Sequence, residues 1–223
     1  MTTVPADLLV MLLADARLPV AGHTQSAGLE AAVQQGLTRD QVPLYVAARL
    51  ASTVRVEAGT AVVALHALVH HLPLEPVVDA WAARTPSGAL RRTSRMQARA
   101  VNRLGVRLWP DSEDVAQVAG LSAAPRPVAL AAMAAAAGLP AQSLARLVGY
   151  DDAQTVAAAA LKLLPLDPAA AAAWVYDALP AIAAAADAVE HLTEPAEIPA
   201  TSAPQIETWA EAHARSTRRL FSA

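Results

Sequence analysis

The residues best suited to chemistry are three neighbouring histidines. His66 and His70 are four residues apart, so on a helix they share one face, at a spacing with which two imidazoles can bind a metal ion. His71 follows directly, but the remaining histidines are scattered and the chain has no cysteine. Because two imidazoles without a third ligand make an incomplete site, we predict no metal site. The histidines are better explained as solvent-facing residues near a helix end, where a protonated imidazole is favourable.

No motif typical of an active site accompanies the histidines. The only lysine, Lys162, lies in the sequence ALKL, so the chain lacks the Gly-Lys-Ser/Thr loop that binds nucleotide phosphates. The sequence also contains no GxGxxG, HExxH or EF-hand motif, and residues 24–28 (TQSAG) lack the first glycine of a nucleophile elbow. We therefore predict a protein that is not an enzyme and that needs no cofactor.

Charged residues are unevenly distributed along the chain. Seven arginines and no carboxylate lie between Arg84 and Arg107, most of them at four-residue steps that keep guanidinium groups adjacent on a helix. From Leu163 to Ala214 there are eight carboxylates and no lysine or arginine. The arginine-rich stretch could be a solvated helix face, a surface for an acidic partner or a surface for nucleic acid. The last is least favoured, because no aromatic residue that could stack on a base is interleaved with the arginines. This separation of positive and negative charge along the chain favours a role in protein interaction over a role in catalysis.

The overall composition predicts a helical core. The 223 residues include 17 Lys+Arg and 20 Asp+Glu, and the near-balance argues against a dedicated nucleic-acid binder. Hydrophobic residues make up 55% and aromatic residues only 4%, and the abundant alanine is the best helix former. No signal peptide and no span of ~20 large apolar residues is evident. We expect a soluble, cytoplasmic protein without membrane contact.

Helix start and stop signals recur along the chain and predict an all-α fold with a single helical-bundle-like domain over residues 1–191. Helices are expected at about residues 5–16, 24–36, 38–53, 56–71, 85–104, 126–137, 140–147, 151–164 and 167–190, with Pro180 kinking or splitting the last one. Residues 192–206 contain three prolines and are predicted to be an extended linker. Residues 207–223 are predicted to be a helical C-terminal docking segment.

Four stretches carry distinctive motifs in order along the chain. They are residues 18–30 (LPVAGHTQSAGLE), 86–104 (PSGALRRTSRMQARAVNRL), 157–167 (AAAALKLLPLD) and 213–221 (HARSTRRLF). Together these stretches resemble the urease accessory protein family UreF, and the resemblance covers nearly the whole chain. The combination of Ser-x-Gly-Leu-Glu with a closing Arg-Leu-Phe is its most specific part.

The resemblance implies a non-enzymatic, all-α urease maturation factor, in other words a nickel-insertion chaperone. UreF proteins bind the accessory protein UreD (called UreH in some species), recruit the GTPase UreG and dock on apo-urease. The assembly helps to deliver nickel to the urease active site, and UreF is proposed to modulate the GTPase. The implied partners are therefore UreD/UreH, UreG, apo-urease and a second copy of the chain, without nucleic acid.

The same stretches supply the candidate interface residues. At least one of Glu30 and Lys162 is predicted to face the GTPase, and Phe221, the only phenylalanine, stands near an arginine as in many interface hot spots. The complete predicted interface set is Ser26, Glu30, Lys162, His213, Arg219, Leu220 and Phe221. The alternative function is a helical regulatory domain that binds an acidic partner or nucleic acid through Arg84–Arg107.

Overall fold

The helices predicted from the sequence are present throughout the part of the chain that the structure describes. The structure is a computed structural model and describes residues 5–15, 17–18, 25–216 and 220–221. These residues form eleven α-helices and contain no β-strand. The helices are α1 (Ala6–Leu13), α2 (Leu29–Gln34), α3 (Val42–Ala51), α4 (Thr53–Val69), α5 (Glu75–Arg84), α6 (Gly88–Leu108), α7 (Glu113–Gly120), α8 (Arg126–Ala137), α9 (Ala141–Leu163), α10 (Pro168–Asp187) and α11 (Pro204–Arg215).

The centre of the bundle is built from α4, α8 and α9. Helix α4 packs against both α8 and α9, while α6 covers α8 and α10 lies along α9. Every residue from Val128 to Ala134 is buried, as expected for a helix that is apolar all round. The many alanines of α8 let its neighbours approach closely, which is how a chain with few aromatic residues fills its core.

Several helix ends follow the predicted local signals. The Asp167 carboxylate accepts a hydrogen bond from the Ala169 backbone N–H at 3.1 Å and caps α10, just before Pro168. Gly138 ends α8 in the left-handed conformation with φ 67°. The start of α6 differs slightly from the expected residue 85, because Ser87 is its N-cap and the helix begins at Gly88.

Two helices are continuous where the sequence predicted a break. The two helices predicted at residues 140–147 and 151–164 form one helix, α9, because Gly149 remains helical and lies directly against Ile182 of α10. A Cβ atom at Gly149 would approach the Ile182 Cγ2 atom to 3.0 Å, so the glycine permits close contact instead of ending the helix. Likewise, Pro180 lies inside a continuous α10. Helices α5 and α7 were not predicted.

The predicted linker is structured in part. Residues 192–206 include a 3-10 helix at Pro195–Glu197, and α11 begins at Pro204 rather than at residue 207. Arg84 donates from Nε to the Ile198 carbonyl at 2.6 Å, and the Thr201 hydroxyl donates to the Ser52 carbonyl at 2.9 Å. These bonds hold the segment along the domain, so it is not extended throughout. The separation into a domain, a linker and a docking segment stays a prediction.

Two segments are long and apolar enough to cross a membrane by length and composition alone. Residues 39–69 include α3 and α4, and 72% of the most apolar stretch is buried within the fold. The other segment is α10, of which 22% is buried in the corresponding stretch. The first segment is core, and α10 packs along α9. The expected absence of a membrane span stays a prediction.

Candidate interaction site at Glu30

The local backbone at the start of α2 places Glu30 in its first turn. Gly28 precedes the helix with φ 83°, and a Cβ atom there would lie 2.9 Å from the Tyr45 hydroxyl oxygen. Both features favour glycine at this position. The Ser26 hydroxyl accepts a long hydrogen bond, 3.4 Å, from the Glu30 backbone N–H. The Ser-x-Gly-Leu-Glu motif is thus a helix start that fixes the direction of the Glu30 side chain.

The Glu30 carboxylate binds the C-terminal end of the chain. Its Oε2 atom lies 2.8 Å from His213 Nε2 and accepts a hydrogen bond from the Phe221 backbone N–H at 3.0 Å. Its Oε1 atom accepts a hydrogen bond from the Leu220 backbone N–H at 2.6 Å. The side chains of Glu30 and His213 are only 3% and 4% exposed. One buried carboxylate therefore satisfies three donors that are remote in sequence.

These hydrogen bonds determine the charge of Glu30. Burial alone would raise the pKa of the carboxyl, but the bonds from Leu220, His213 and Phe221 outweigh it and lower the pKa below its usual range. The carboxylate is therefore ionised at neutral pH. Hydrogen bonds to an ionised acceptor are stronger than neutral ones, so Glu30 is well suited to hold the chain end.

Most of the predicted interface residues meet at this place. The Lys162 Nζ atom, on α9, lies 5.1 Å from the centroid of the Phe221 ring, a distance at which a cation and an aromatic face attract each other. Phe221 is buried, whereas Leu220 is 75% exposed. We call the group the Glu30 cluster; it consists of Ser26, Glu30, Lys162, His213, Leu220 and Phe221. Arg219 lies outside the described residues.

The geometry joins three of the sequence stretches that resemble UreF, and comparison with known proteins supports that resemblance. The sequence model of the family, described as UreF, matches residues 37–179. A "Urease accessory protein UreF" from Mycobacterium sp. (strain JLS) is 36% identical over 219 residues, which is 96% of this chain and 97% of the relative. This chain belongs to the UreF family. A relative with the same name from Mycolicibacterium vanbaalenii is 35% identical, over 96% of this chain and 97% of its own length. Another, from Mycobacterium tuberculosis (strain ATCC 25177 / H37Ra), is 31% identical, over 95% of this chain and 96% of its own length.

In this UreF-family protein, a buried ion pair supports the loop that precedes Glu30. Arg49 of α3 binds Asp152 of α9 through two bonds, Nε to Oδ2 at 2.9 Å and Nη2 to Oδ1 at 2.6 Å. Arg49 Nη1 and the Tyr45 hydroxyl both donate to the Ala27 carbonyl, at 2.9 and 2.6 Å. These residues were not predicted from the sequence. The available signal was an arginine within the apolar pattern of α3, between Val46 and Leu50.

Behind this ion pair lies a polar cavity of about 100 Å³. Arg126 donates to Asp151 Oδ2 at 2.6 Å, so the adjacent carboxylates of Asp151 and Asp152 each bind an arginine. Glu57 accepts a hydrogen bond from the buried Trp81 indole at 2.8 Å, and its own burial raises its pKa. Because the aspartates already have cationic partners, we interpret the cavity as part of the UreF-type scaffold rather than as a ligand site.

The histidines lie in a different part of this UreF-family fold. The rings of His66 and His70 are 4.2 Å apart between centroids and line a groove with Glu190 and His191. The position of His191 in the same groove was not predicted from the sequence. Within the described residues, however, no group of three or more His, Asp or Glu side chains is arranged to hold a metal ion.

We therefore expect the purified chain to bind nickel no more tightly than a pair of imidazoles allows. Tight binding needs three or more converging ligands, and the described residues form no such group around the His66–His70 pair. Titration calorimetry with Ni²⁺ should show no site of sub-micromolar affinity. One ion bound per dimer at that affinity, and lost on His66→Ala/His70→Ala substitution, would contradict this prediction and indicate a site shared between two copies.

Proposed function

We propose that this chain is a non-catalytic urease maturation factor that bridges UreD/UreH and the GTPase UreG on apo-urease and modulates the GTPase during nickel insertion. Membership of the UreF family supports a role in urease maturation. The observation that carries the finer proposal is the Glu30 cluster, in which residues of three family-like motifs, from both ends of the chain and from α9, pack together.

The exposed side of the Glu30 cluster is the proposed docking site for UreD/UreH. Glu30 holds the backbone of residues 220 and 221, and Phe221 is buried while Leu220 points outward with 75% exposure. An exposed leucine on a fixed backbone loses little conformational freedom on binding, which favours its use as an anchor. Arg219, which precedes it in sequence, is proposed to contribute to the same contact.

The contact with the GTPase is assigned to Lys162. Glu30 is buried by the chain's own C-terminal end, so its part is to position that end. Lys162 is exposed and lies beside the Phe221 ring. We propose that its ammonium group contacts UreG, so that neighbouring residues of one surface contact UreD/UreH and UreG.

An apolar surface near α1 fits the proposed homodimer. Helix α1 exposes Leu8, Met11 and Leu12, and a groove of about 240 Å³ beside it is lined mainly by apolar side chains of α9 and α10, including Leu147 and Ile182. Adjacent exposed apolar side chains are typical of protein interfaces. We propose a soluble, cytoplasmic homodimer that has no cofactor and no enzymatic activity of its own.

Replacing Leu220 with aspartate tests this function. The variant should fold normally, because Leu220 is exposed, but its affinity for purified UreD should fall at least about tenfold, equivalent to about 1.4 kcal/mol. Urease activation in cells should fall in parallel. The control is Val69→Asp, an exposed apolar residue at the end of α4 (58% exposed), which should bind as the unmodified protein does.

Two results would contradict the proposal. The first is an unmodified chain that binds neither UreD nor UreG in titration calorimetry. The second is full urease activation in cells that lack this chain. Equal binding by Leu220→Asp and the unmodified chain would instead place the UreD contact elsewhere on the molecule.

A further inference from the structure

Six of the seven arginines between Arg84 and Arg107 fall into two groups. The first group is used within the fold: Arg84 donates to the Ile198 carbonyl, and Arg91 donates to the Thr85 carbonyl at 2.6 Å. The second group makes no ion pair with any described residue; its members are Arg95, Arg99, Arg103 and Arg107. The described residues include every aspartate and glutamate of the chain. These four charges therefore have no carboxylate side chain of their own chain bound to them.

Three of these arginines line one groove. It has a volume of about 550 Å³ and lies between α6 and residues 119–124, which form the end of α7 and most of its connection to α8. Arg95, Arg99 and Arg103 enter it from α6, together with the polar side chains of Asn102 and Ser122. The remaining lining is apolar, and the described lining includes no aspartate or glutamate. We call this the arginine groove.

Arg95 is held ready to bind an anion. Its guanidinium carbon lies 6.0 Å from the centroid of the Trp81 ring, whose face stabilises the cation and fixes its position. The Arg95 Nε atom is buried but has no hydrogen-bond acceptor among the described residues. A buried N–H without an acceptor is unfavourable, and a hydrogen bond to a carboxylate oxygen would satisfy it once the side chain turns toward the groove.

We propose that the arginine groove binds an acidic segment of a urease-maturation partner, an inference that rests on the proposed function. Four residues on a helix span about 6 Å, so the arginines at positions 95, 99 and 103 present positive charge at that interval. Carboxylates recur at a matching interval at i and i+4 of a helix, or at i and i+2 of a strand (about 6.7 Å). Each guanidinium can bind one carboxylate through two hydrogen bonds.

A protein segment fits the groove better than a nucleic acid does. Among the described residues, no aromatic side chain lines the groove on which a base could stack, and the chain has a formal net charge of −3. Val106, in the lining, and Met96, nearby on α6, are 46% and 37% exposed. Apolar groups beside arginines suit a segment in which carboxylates alternate with small apolar residues.

The first test reverses two charges in the groove. Arg99→Glu/Arg103→Glu should fold normally, because both side chains are exposed, and should bind at least one of purified UreD, UreG and apo-urease about tenfold more weakly or worse. The control is Arg39→Glu/Arg107→Glu, which changes the net charge equally at exposed positions outside the groove. It should retain the unmodified affinity for all three partners.

The second test identifies the occupant. Val106 is replaced by the photo-crosslinker p-benzoylphenylalanine, the complex is irradiated, and the linked partner peptide is sequenced by mass spectrometry. A peptide with carboxylates at i, i+4 or i, i+2 supports the proposal, and a linked peptide without that pattern overturns it. Duplex DNA is tested in a gel-shift assay, and binding to DNA that is lost in Arg99→Glu/Arg103→Glu would also overturn it.

The two hypotheses fail in different ways. If the unmodified chain binds none of the three partners, the proposed function fails, and the arginine groove proposal fails with it. If the unmodified chain binds its partners and Arg99→Glu/Arg103→Glu binds them equally well, only the arginine groove proposal fails.

Discussion

Replacing Arg49 with methionine is expected to lower the free energy of unfolding by about 3–5 kcal/mol. Methionine fills much of the same volume but removes both bonds to Asp152 and the bond to the Ala27 carbonyl. The Asp152 carboxylate, with its side chain only 15% exposed, would then lie beside α3 without its cation. Urea denaturation followed by circular dichroism measures the loss.

A matched exposed arginine provides the control for this experiment. The Arg39 Nε atom lies 3.9 Å from the Asp40 Oδ1 atom, and both side chains are largely exposed. Arg39→Met should therefore change the free energy of unfolding by less than about 0.5 kcal/mol. The double variant Arg49→Met/Asp152→Leu should recover a large part of the loss, because it leaves no unpaired charge. A loss below about 1 kcal/mol for Arg49→Met would show that water replaces the bond to Asp152.

Local signals account for the parts of the fold that the sequence predicted correctly. Helix α8 was predicted at its observed bounds, since it is a continuous apolar run that ends at Gly138. The start of α10 follows from Asp167 and Pro168 in the same way. The predicted break near Gly149 was wrong because the deciding contact, with Ile182, is made by another helix. Such contacts leave no periodic pattern in the sequence.

The candidate site shows the same division between local and remote information. The resemblance to UreF selected Glu30 and His213, but nothing in either stretch indicated that they contact each other across 183 residues. The arginine–aspartate pair of Arg49 and Asp152 spans 103 residues and was missed altogether. Residue types can be recognised from motifs, whereas their pairing depends on how α2, α9 and α11 pack together.

Replacing Glu30 with glutamine is expected to release the C-terminal end of the chain. Glutamine keeps one acceptor oxygen, but its NH₂ group takes the place of the second carboxylate oxygen. An NH₂ group cannot accept the hydrogen bonds that this oxygen accepts in the unmodified chain. Loss of a hydrogen bond to a charged group costs about 2 kcal/mol, so amide hydrogen exchange at Leu220 and Phe221 should accelerate about 30-fold. If the end forms the docking site, the affinity for UreD should fall as well.

The pH dependence of exchange separates this explanation from a general loss of stability. The Glu30 pKa is lower in the folded protein than its ordinary value of 4.5. The stabilisation of the chain end by Glu30 is therefore fully present above pH 4.5. The contribution is lost as the pH falls through the lowered pKa. Exchange at Leu220 and Phe221, corrected for its intrinsic rate, should therefore increase on acidification in the unmodified chain and stay nearly constant in Glu30→Gln.

The matched control for Glu30→Gln is Glu207→Gln on α11, because the Glu207 carboxylate accepts no hydrogen bond from a described residue. It should leave both exchange and UreD affinity unchanged. Equal protection of the Leu220 and Phe221 amides in Glu30→Gln and the unmodified chain would contradict the role of Glu30. If the amides exchange faster in Glu30→Gln but UreD binds equally well, Glu30 still holds the chain end. Docking would then not depend on that role, since the partner would not require a preformed chain end.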